Sequence, residues 1–223
     1  MDRMYRWTRH VYDGTRKYYL LGRDRMLDMI ADQPSGAILE VGCGTARNLR
    51  YLARHAPQHE MYGMDASNEM LDTAHRSLQR GRYADRVTLA HGLASDVTPG
   101  MLGRDKPFDV VFCSYVLSMI PESQPSVEAA LRALRPGGRF YIVDFWDQAD
   151  LPDAFGWILQ RWLSLFGVQH RPGVIRALKH ADECGRGSLR LQPIARRYAY
   201  LAQFQKADAF TSGTDASGSR DGV

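Results

Sequence analysis

The chain has 223 residues, 44% of them apolar and 24% charged, with a net charge of +4. That composition fits one globular domain with a sizeable core and excludes a disordered or fibrous polypeptide. No apolar run approaches the roughly 20 residues that cross a bilayer, and the opening MDRMYRWTRH is not a secretory leader, so the expected location is cytoplasmic.

Taken in chain order, residues 4–33 read as helical, with Leu20, Leu21, Met26, Leu27 and Ile30 as apolar positions, until Pro34-Ser35-Gly36 breaks the pattern. Ala37 to Val41 reads as a short buried strand, and the glycine turn Gly42–Gly44 opens a helix to about Arg54. Met61 to Asp65 is a second strand, and Ser67 is placed to cap a helix running to about Gln79. Val87 to Ala90 and the strongly apolar Phe108 to Tyr115 follow as strands three and four. Ser126 to Leu134 reads as a helix ended by Arg135-Pro136-Gly137-Gly138, and Arg139 to Phe145 is the fifth strand. Strands alternating with helices predict a parallel sheet buried on both faces.

Residues 151–168 read as a further helix. Leu151, Phe155, Ile158, Leu159, Trp162, Leu163 and Phe166 share one face, which suits either packing on the sheet or a membrane interface. Leu189 to Ile194 and Tyr198 to Phe204 are joined too directly for a parallel crossover, so they predict an antiparallel hairpin. The tail Thr211–Val223 is rich in Gly, Ser and Asp and is expected to be disordered. The domain reading is therefore an N-terminal helical cap over residues 1–33, an α/β domain over 34–208 and a tail over 209–223.

The chemistry is concentrated in ILEVGCGTAR, Ile38 to Arg47. Glu40 ends a strand, Gly42 and Gly44 make the turn with Cys43 between them, and a helix follows. Glycine suits such a turn because a Cβ would hold a ligand off the backbone or forbid the dihedrals. A carboxylate at the end of the next strand, Asp65, is placed to accept from both hydroxyls of a ribose, with Ala66 beside it. Cys43, Cys113 and Cys184 are far apart and show neither disulfide nor zinc-ligand spacing, and no histidine pair suits a metal, so none is expected.

The EVGCG form, with an acidic residue before the turn, is similar to motif I of class I S-adenosylmethionine-dependent methyltransferases. A dinucleotide pyrophosphate disfavours negative charge at a helix N-terminus, whereas a cofactor with an ammonium and a sulfonium accepts Glu40. LRPGGRF, Leu134 to Phe140, resembles the loop before the fifth strand of that family. The resemblance implies a Rossmann-like α/β fold with a seven-stranded, mostly parallel sheet and an antiparallel C-terminal hairpin. It implies S-adenosylmethionine as cofactor, held by Glu40, Gly42, Cys43, Gly44, Asp65, Ala66, Leu93, Ala94 and Ser114. Ala46 stands where a third glycine is common, and Leu93 where an acidic residue often binds adenine; backbone groups of Leu93 and Ala94, or Asp96, are the alternatives.

YDGTRKYYLLGRDRML, Tyr12 to Leu27, with FCSYVLSMIP, Phe112 to Pro121, resembles the bacterial N-methyltransferases that convert diacylglyceryl-homoserine to a betaine lipid. That resemblance implies an acceptor pocket under the N-terminal segment, with Tyr19 and Tyr115 near the amine and Arg16 (or Arg23) on the homoserine carboxylate. It also implies a partner enzyme that forms the homoserine lipid. Tyr12, Tyr18, Phe145 and Trp146 are further aromatic candidates for a methylated ammonium. Phosphatidylethanolamine, a small soluble amine, or cofactor binding without catalysis are the alternatives. Residues 1–25 carry seven basic against three acidic side chains, and residues 171–197 seven against two. Two basic clusters suit an anionic surface, either the inner face of the cytoplasmic membrane or nucleic acid, or serve simple solubility. No nucleic acid is expected, because the chain lacks room for an added RNA-binding domain. The oligomeric state is left open.

Overall fold

The computed structural model describes residues 20–151, 161 and 171–208. Along the described residues run α1 (Arg23–Ala31), β1 (Ala37–Val41), α2 (Arg47–His55), β2 (Glu60–Asp65), α3 (Asn68–Gly81), β3 (Val87–His91), β4 (Phe108–Ser114), α4 (Ser123–Ala133), β5 (Leu134–Phe145), α5 (Pro172–Glu183), β6 (Gly187–Ile194) and β7 (Ala199–Lys206). The strands form one sheet in the order β3-β2-β1-β4-β5-β7-β6. The first five are parallel to one another, and β7 lies antiparallel between β5 and β6. This is the Rossmann-like methyltransferase sheet expected from the sequence.

Every residue of β1 is buried, because helices cover both faces of the sheet. On one face, Met26, Leu27 and Ile30 of α1, Leu49 and Leu52 of α2, and Leu71 and Leu78 of α3 pack with Ile38, Phe112, Tyr141 and Val143. On the other, Val127, Ala130 and Leu131 of α4 and Val174 and Leu178 of α5 pack with Leu39, Val111, Phe140, Ile142 and Phe204. Ser67 caps α3 as expected, its Oγ accepting from the Met70 N–H at 3.3 Å. Among the described residues no helix is long and apolar enough to cross a membrane.

Three local expectations change. The helix read over 4–33 begins, in its described part, only at Arg23, because Gly22 adopts φ +79° and packs against Ile194 where a Cβ would overlap it. Pro136-Gly137-Gly138 does not separate helix from strand. Helix α4 already starts at Ser123, and β5 at Leu134, which pairs with Phe108 before the register shifts between Phe108 and Val110. The Pro-Gly-Gly segment lies inside β5, with Gly137 at φ +69°.

The hairpin between β6 and β7 closes over Ala195-Arg196-Arg197-Tyr198, with the first three at φ +46°, +54° and +59°. Its backbone is clasped by the segment that follows β5: Trp146 N–H donates to Tyr198 O and Gln148 N–H to Arg197 O, both at 3.0 Å. The Arg197 guanidinium pairs with Asp147 and lies 4.7 Å from the centre of the Trp146 ring. Of the helix expected over 151–168, all but Leu151 and Arg161 lie outside the described residues, as does the tail from Thr211.

Candidate cofactor and acceptor site

The strand order reverses at β1, between β2 and β4, and the crevice above the carboxyl ends of such strands is where a sheet of this kind binds ligands. Glu40, Asp65 and Ser114 stand at the carboxyl ends of β1, β2 and β4. Leu93 and Ala94 follow β3 after Gly92. The predicted cofactor residues are therefore brought to one edge.

Gly42 and Gly44 have φ +74° and +53°. The Gly42 and Cys43 N–H groups both donate to Met64 O, at 2.8 and 3.0 Å, which folds the turn back onto β2. The two glycines differ in what surrounds them. A Cβ on Gly42 would overlap the Val116 side chain, whereas a Cβ on Gly44 would meet no protein atom within 4 Å. Gly44 therefore faces open space.

Asp65 borders that space. Its Oδ2 accepts from the Gly44 N–H at 2.7 Å and its Oδ1 from the Ser67 N–H at 2.9 Å, so turn, strand and helix cap fix the carboxylate together. Burial raises the Asp65 pKa, opposed by the N–H groups of Ser67, Gly44 and Ala66 and by His91. The buried Glu40 accepts from Asn48 Nδ2 at 2.7 Å through Oε1. Asn48 sits in the first turn of α2 and was not singled out from sequence. Cys43 is buried, and burial, then Glu40 and Asp65, push its thiol up, so it stays neutral and packs rather than reacts.

Ala66 is exposed, its carbonyl oxygen 3.1 Å from His91 Nε2. Leu93 is the most exposed large apolar residue described, at 54%, and its carbonyl accepts from the Asp96 N–H at 3.0 Å. Ala46 adopts φ +59°, a left-handed conformation that costs a non-glycine residue roughly 1–2 kcal/mol, so alanine there is accommodated under strain.

These residues suit S-adenosylmethionine: a hydroxyl-accepting carboxylate at Asp65, a buried carboxylate near the turn at Glu40, and a turn that leaves open the space a Cβ on Gly44 would enter. No phosphate-binding demand is placed on the helix N-terminus.

On the acceptor side, Tyr115 follows β4 at φ +55°, and its hydroxyl donates to Leu21 O at 2.6 Å. Its ring meets Phe145 edge-on at 4.7 Å, and Phe145 meets Tyr198 at 5.6 Å. The largely buried Arg23 lies close enough to oppose the upward shift of the Tyr115 phenol that burial, Tyr198 and Asp144 produce. Tyr115 is thus a protonated donor that ties the segment before α1 to the sheet. Tyr198 joins the aromatic cluster although sequence reading placed it only in a strand. Arg16 and Tyr19, with Tyr12 and Tyr18, lie outside the described residues. Among the described residues no group of three or more His, Cys, Asp and Glu is placed to hold a metal.

Residues 39–140 match the sequence family described as a methyltransferase domain. A ubiquinone/menaquinone biosynthesis C-methyltransferase of Cereibacter sphaeroides is 29% identical over 126 residues, 56% of this chain and 48% of the relative. A trans-aconitate 2-methyltransferase of Pseudomonas paraeruginosa is 32% identical over 113 residues, 51% of this chain and 37% of the relative. The match thus spans less than half the length of either relative. The crystal structure of a S-adenosylmethionine-dependent methyltransferase from Aquifex aeolicus superposes with a TM-score of 0.61 at 16% identity, covering 86% of this chain and 93% of that one.

Proposed function

We propose that this chain is a class I S-adenosylmethionine-dependent methyltransferase that transfers the cofactor's methyl group to the amine of a lipid headgroup, diacylglyceryl-homoserine being the first choice. The observation that carries methyl transfer is the open space at Gly44, bordered by the fixed Asp65 carboxylate, beside the buried Glu40–Asn48 pair. When bound, S-adenosylmethionine would supply a sulfonium methyl to a neutral nucleophile and leave as the thioether, so alignment rather than a strong base would supply much of the acceleration. Glu40 and Asp65 would hold it, with Ser114, Tyr115 and the turn after β4 at its border.

What supports the lipid amine is the surroundings. The Tyr115, Phe145 and Tyr198 rings, buried and packed edge-on against one another, are of the kind that stabilises a methylated ammonium, and a desolvated amine is held neutral and nucleophilic. Arg23 at the same edge is the described candidate for a carboxylate such as that of homoserine. Arg176, Lys179, Arg190 and Arg196 are exposed, and they favour an anionic membrane surface at the inner face of the cytoplasmic membrane. A second reading rests on the relatives: one is named for C-methylation and the other for trans-aconitate, so a carbon or carboxylate acceptor is the rival. Phosphatidylethanolamine and small amines fall between the two. Steady-state methylation of diacylglyceryl-homoserine, phosphatidylethanolamine, a quinone precursor and trans-aconitate separates them. The proposal requires the homoserine lipid to have the highest kcat/KM, and preference for either of the last two overturns it.

A further inference from the structure

We infer that Asp144 is a positioning residue for the cofactor turn: it fixes the turn after β4, whose Val116 side chain occupies the space left by the missing Cβ of Gly42. Asp144 is the penultimate residue of β5 and is 1% exposed. Its Oδ2 accepts from the Ser118 N–H at 3.0 Å and its Oδ1 from the Phe145 N–H at 2.8 Å. The first of these bonds crosses from β5 to the turn that leaves β4.

That turn is otherwise thinly held by backbone. Tyr115 N–H still bonds Val143 O at 2.8 Å, Tyr115 then takes φ +55°, and Met119 N–H closes back on Val116 O at 3.0 Å. Between those two bonds the buried Ser118 N–H has a carboxylate as its partner, and a charge-assisted bond of this kind is the strongest single restraint on the segment. A Cβ on Gly42 would overlap Val116 Cγ2 and lie only 3.0 Å from its Cβ. Val116 therefore presses on the first glycine of the turn that presents Gly44 and Asp65. A shift of Ser118 moves Val116, and a shift of Val116 releases Gly42.

Burial moves the Asp144 pKa to about 6, against the Ser118 side chain first and then the Ser118, Phe145 and Leu117 N–H groups, which oppose the shift. The titratable groups facing it are Cys113 of β4, Tyr115 after β4 and Tyr200 of β7, all pushed up and neutral at that pH. Lowering the pH through 6 thus replaces the carboxylate by a weaker acceptor. The raised pKa has the opposite effect on folding. The native state binds the proton that the unfolded chain releases near 3.8, so this group's contribution to stability falls as pH rises to about 6 and is flat above it.

The test is calorimetric binding of S-adenosylmethionine to wild type, Asp144→Asn and Val116→Ala from pH 7.5 to 5.5, with thermal melts at each pH. Binding, unlike turnover, does not depend on the acceptor. At pH 7.5 the expected loss is about tenfold for Asp144→Asn, the scale set by one charge-assisted bond, with a melting temperature no lower than wild type. Asp65 is present in both proteins, so the informative quantity is the difference, and the gap closes as pH falls below 6. Val116→Ala weakens binding at every pH. Wild-type affinity for Asp144→Asn at pH 7.5, a gap that does not change with pH, or wild-type affinity for Val116→Ala each overturns the inference.

Discussion

Alanine at the two turn glycines separates the cofactor reading from a packing one. Both sit at positive φ, so each substitution incurs roughly 1–2 kcal/mol of backbone strain, offset by the ~0.4–1 kcal/mol that a stiffer unfolded chain returns. At Gly44 nothing else is added, because the new methyl meets no protein atom. The net loss is about 1 kcal/mol, or about 2–4 °C in melting temperature for a chain of this size. At Gly42 the methyl enters the space of Val116, and overpacking adds about 1–3 kcal/mol, so Gly42→Ala melts several degrees lower than Gly44→Ala. Binding of S-adenosylmethionine should follow a different logic. The Gly44 methyl projects where the cofactor is expected, so the milder variant in the melt should still lose about tenfold or more in affinity, equivalent to about 1.4 kcal/mol. Thermal melts and isothermal titration calorimetry on the two purified variants measure both quantities. If Gly44→Ala bound with wild-type affinity, the open space beside that glycine would not be the cofactor's, and the placement of the site would fail.

Tyr115→Phe keeps the ring against Phe145 but removes the bond to Leu21 O; a loss of about 1 kcal/mol in stability with cofactor affinity within a few-fold is expected from melts and calorimetry, and a tenfold affinity loss would contradict the assignment of Tyr115 to the acceptor side. Asp109 tests the opposite end of the sheet. Burial raises its carboxyl, but Arg135 at 2.5 Å and the Ala37 N–H at 2.8 Å outweigh that and hold it below the usual range. Its contribution is therefore present above the unfolded pKa near 3.8 and is lost as pH falls through the folded one. Urea melts of Asp109→Ala should show lower stability at pH 7 and a shallower decline towards pH 3, and parallel curves would refute this. Sedimentation with vesicles should rise with anionic lipid content and fall with salt, at about 1 kcal/mol for each Lys or Arg engaged, whereas equal binding to zwitterionic vesicles at low salt would remove the electrostatic argument.

The parallel half of the fold was readable because its strands are short, largely apolar and punctuated by glycine, and because Ser67 and the Gly42–Gly44 turn mark their neighbours' ends. The antiparallel hairpin followed from the few residues between Ile194 and Tyr198, although nothing in Ala195-Arg196-Arg197 announces three left-handed residues. Those conformations are imposed by backbone bonds from Trp146 and Gln148, contacts between residues about 50 positions apart. Pro136-Gly137-Gly138 misled for the converse reason: its local chemistry says stop, while pairing of Leu134 with Phe108 continues the strand. In the site, Glu40, Gly44 and Asp65 announced themselves by spacing. Asn48 and Asp144 did not, since an asparagine in a first helical turn and an aspartate near a strand end have ordinary explanations until their partners are known. Asp144 was the harder of the two, its partner Ser118 lying 26 residues away on another strand's exit.

The claim at the centre of this account is methyl transfer to a headgroup nitrogen. Incubating the chain with methyl-labelled S-adenosylmethionine and vesicles containing diacylglyceryl-homoserine, then locating the label by mass spectrometry, tests it most directly. The account predicts label on the homoserine nitrogen, accumulating through successive additions and abolished in Gly44→Val. Cofactor binding with no label on that nitrogen, or label on a carbon or carboxylate acceptor supplied in its place, would contradict it.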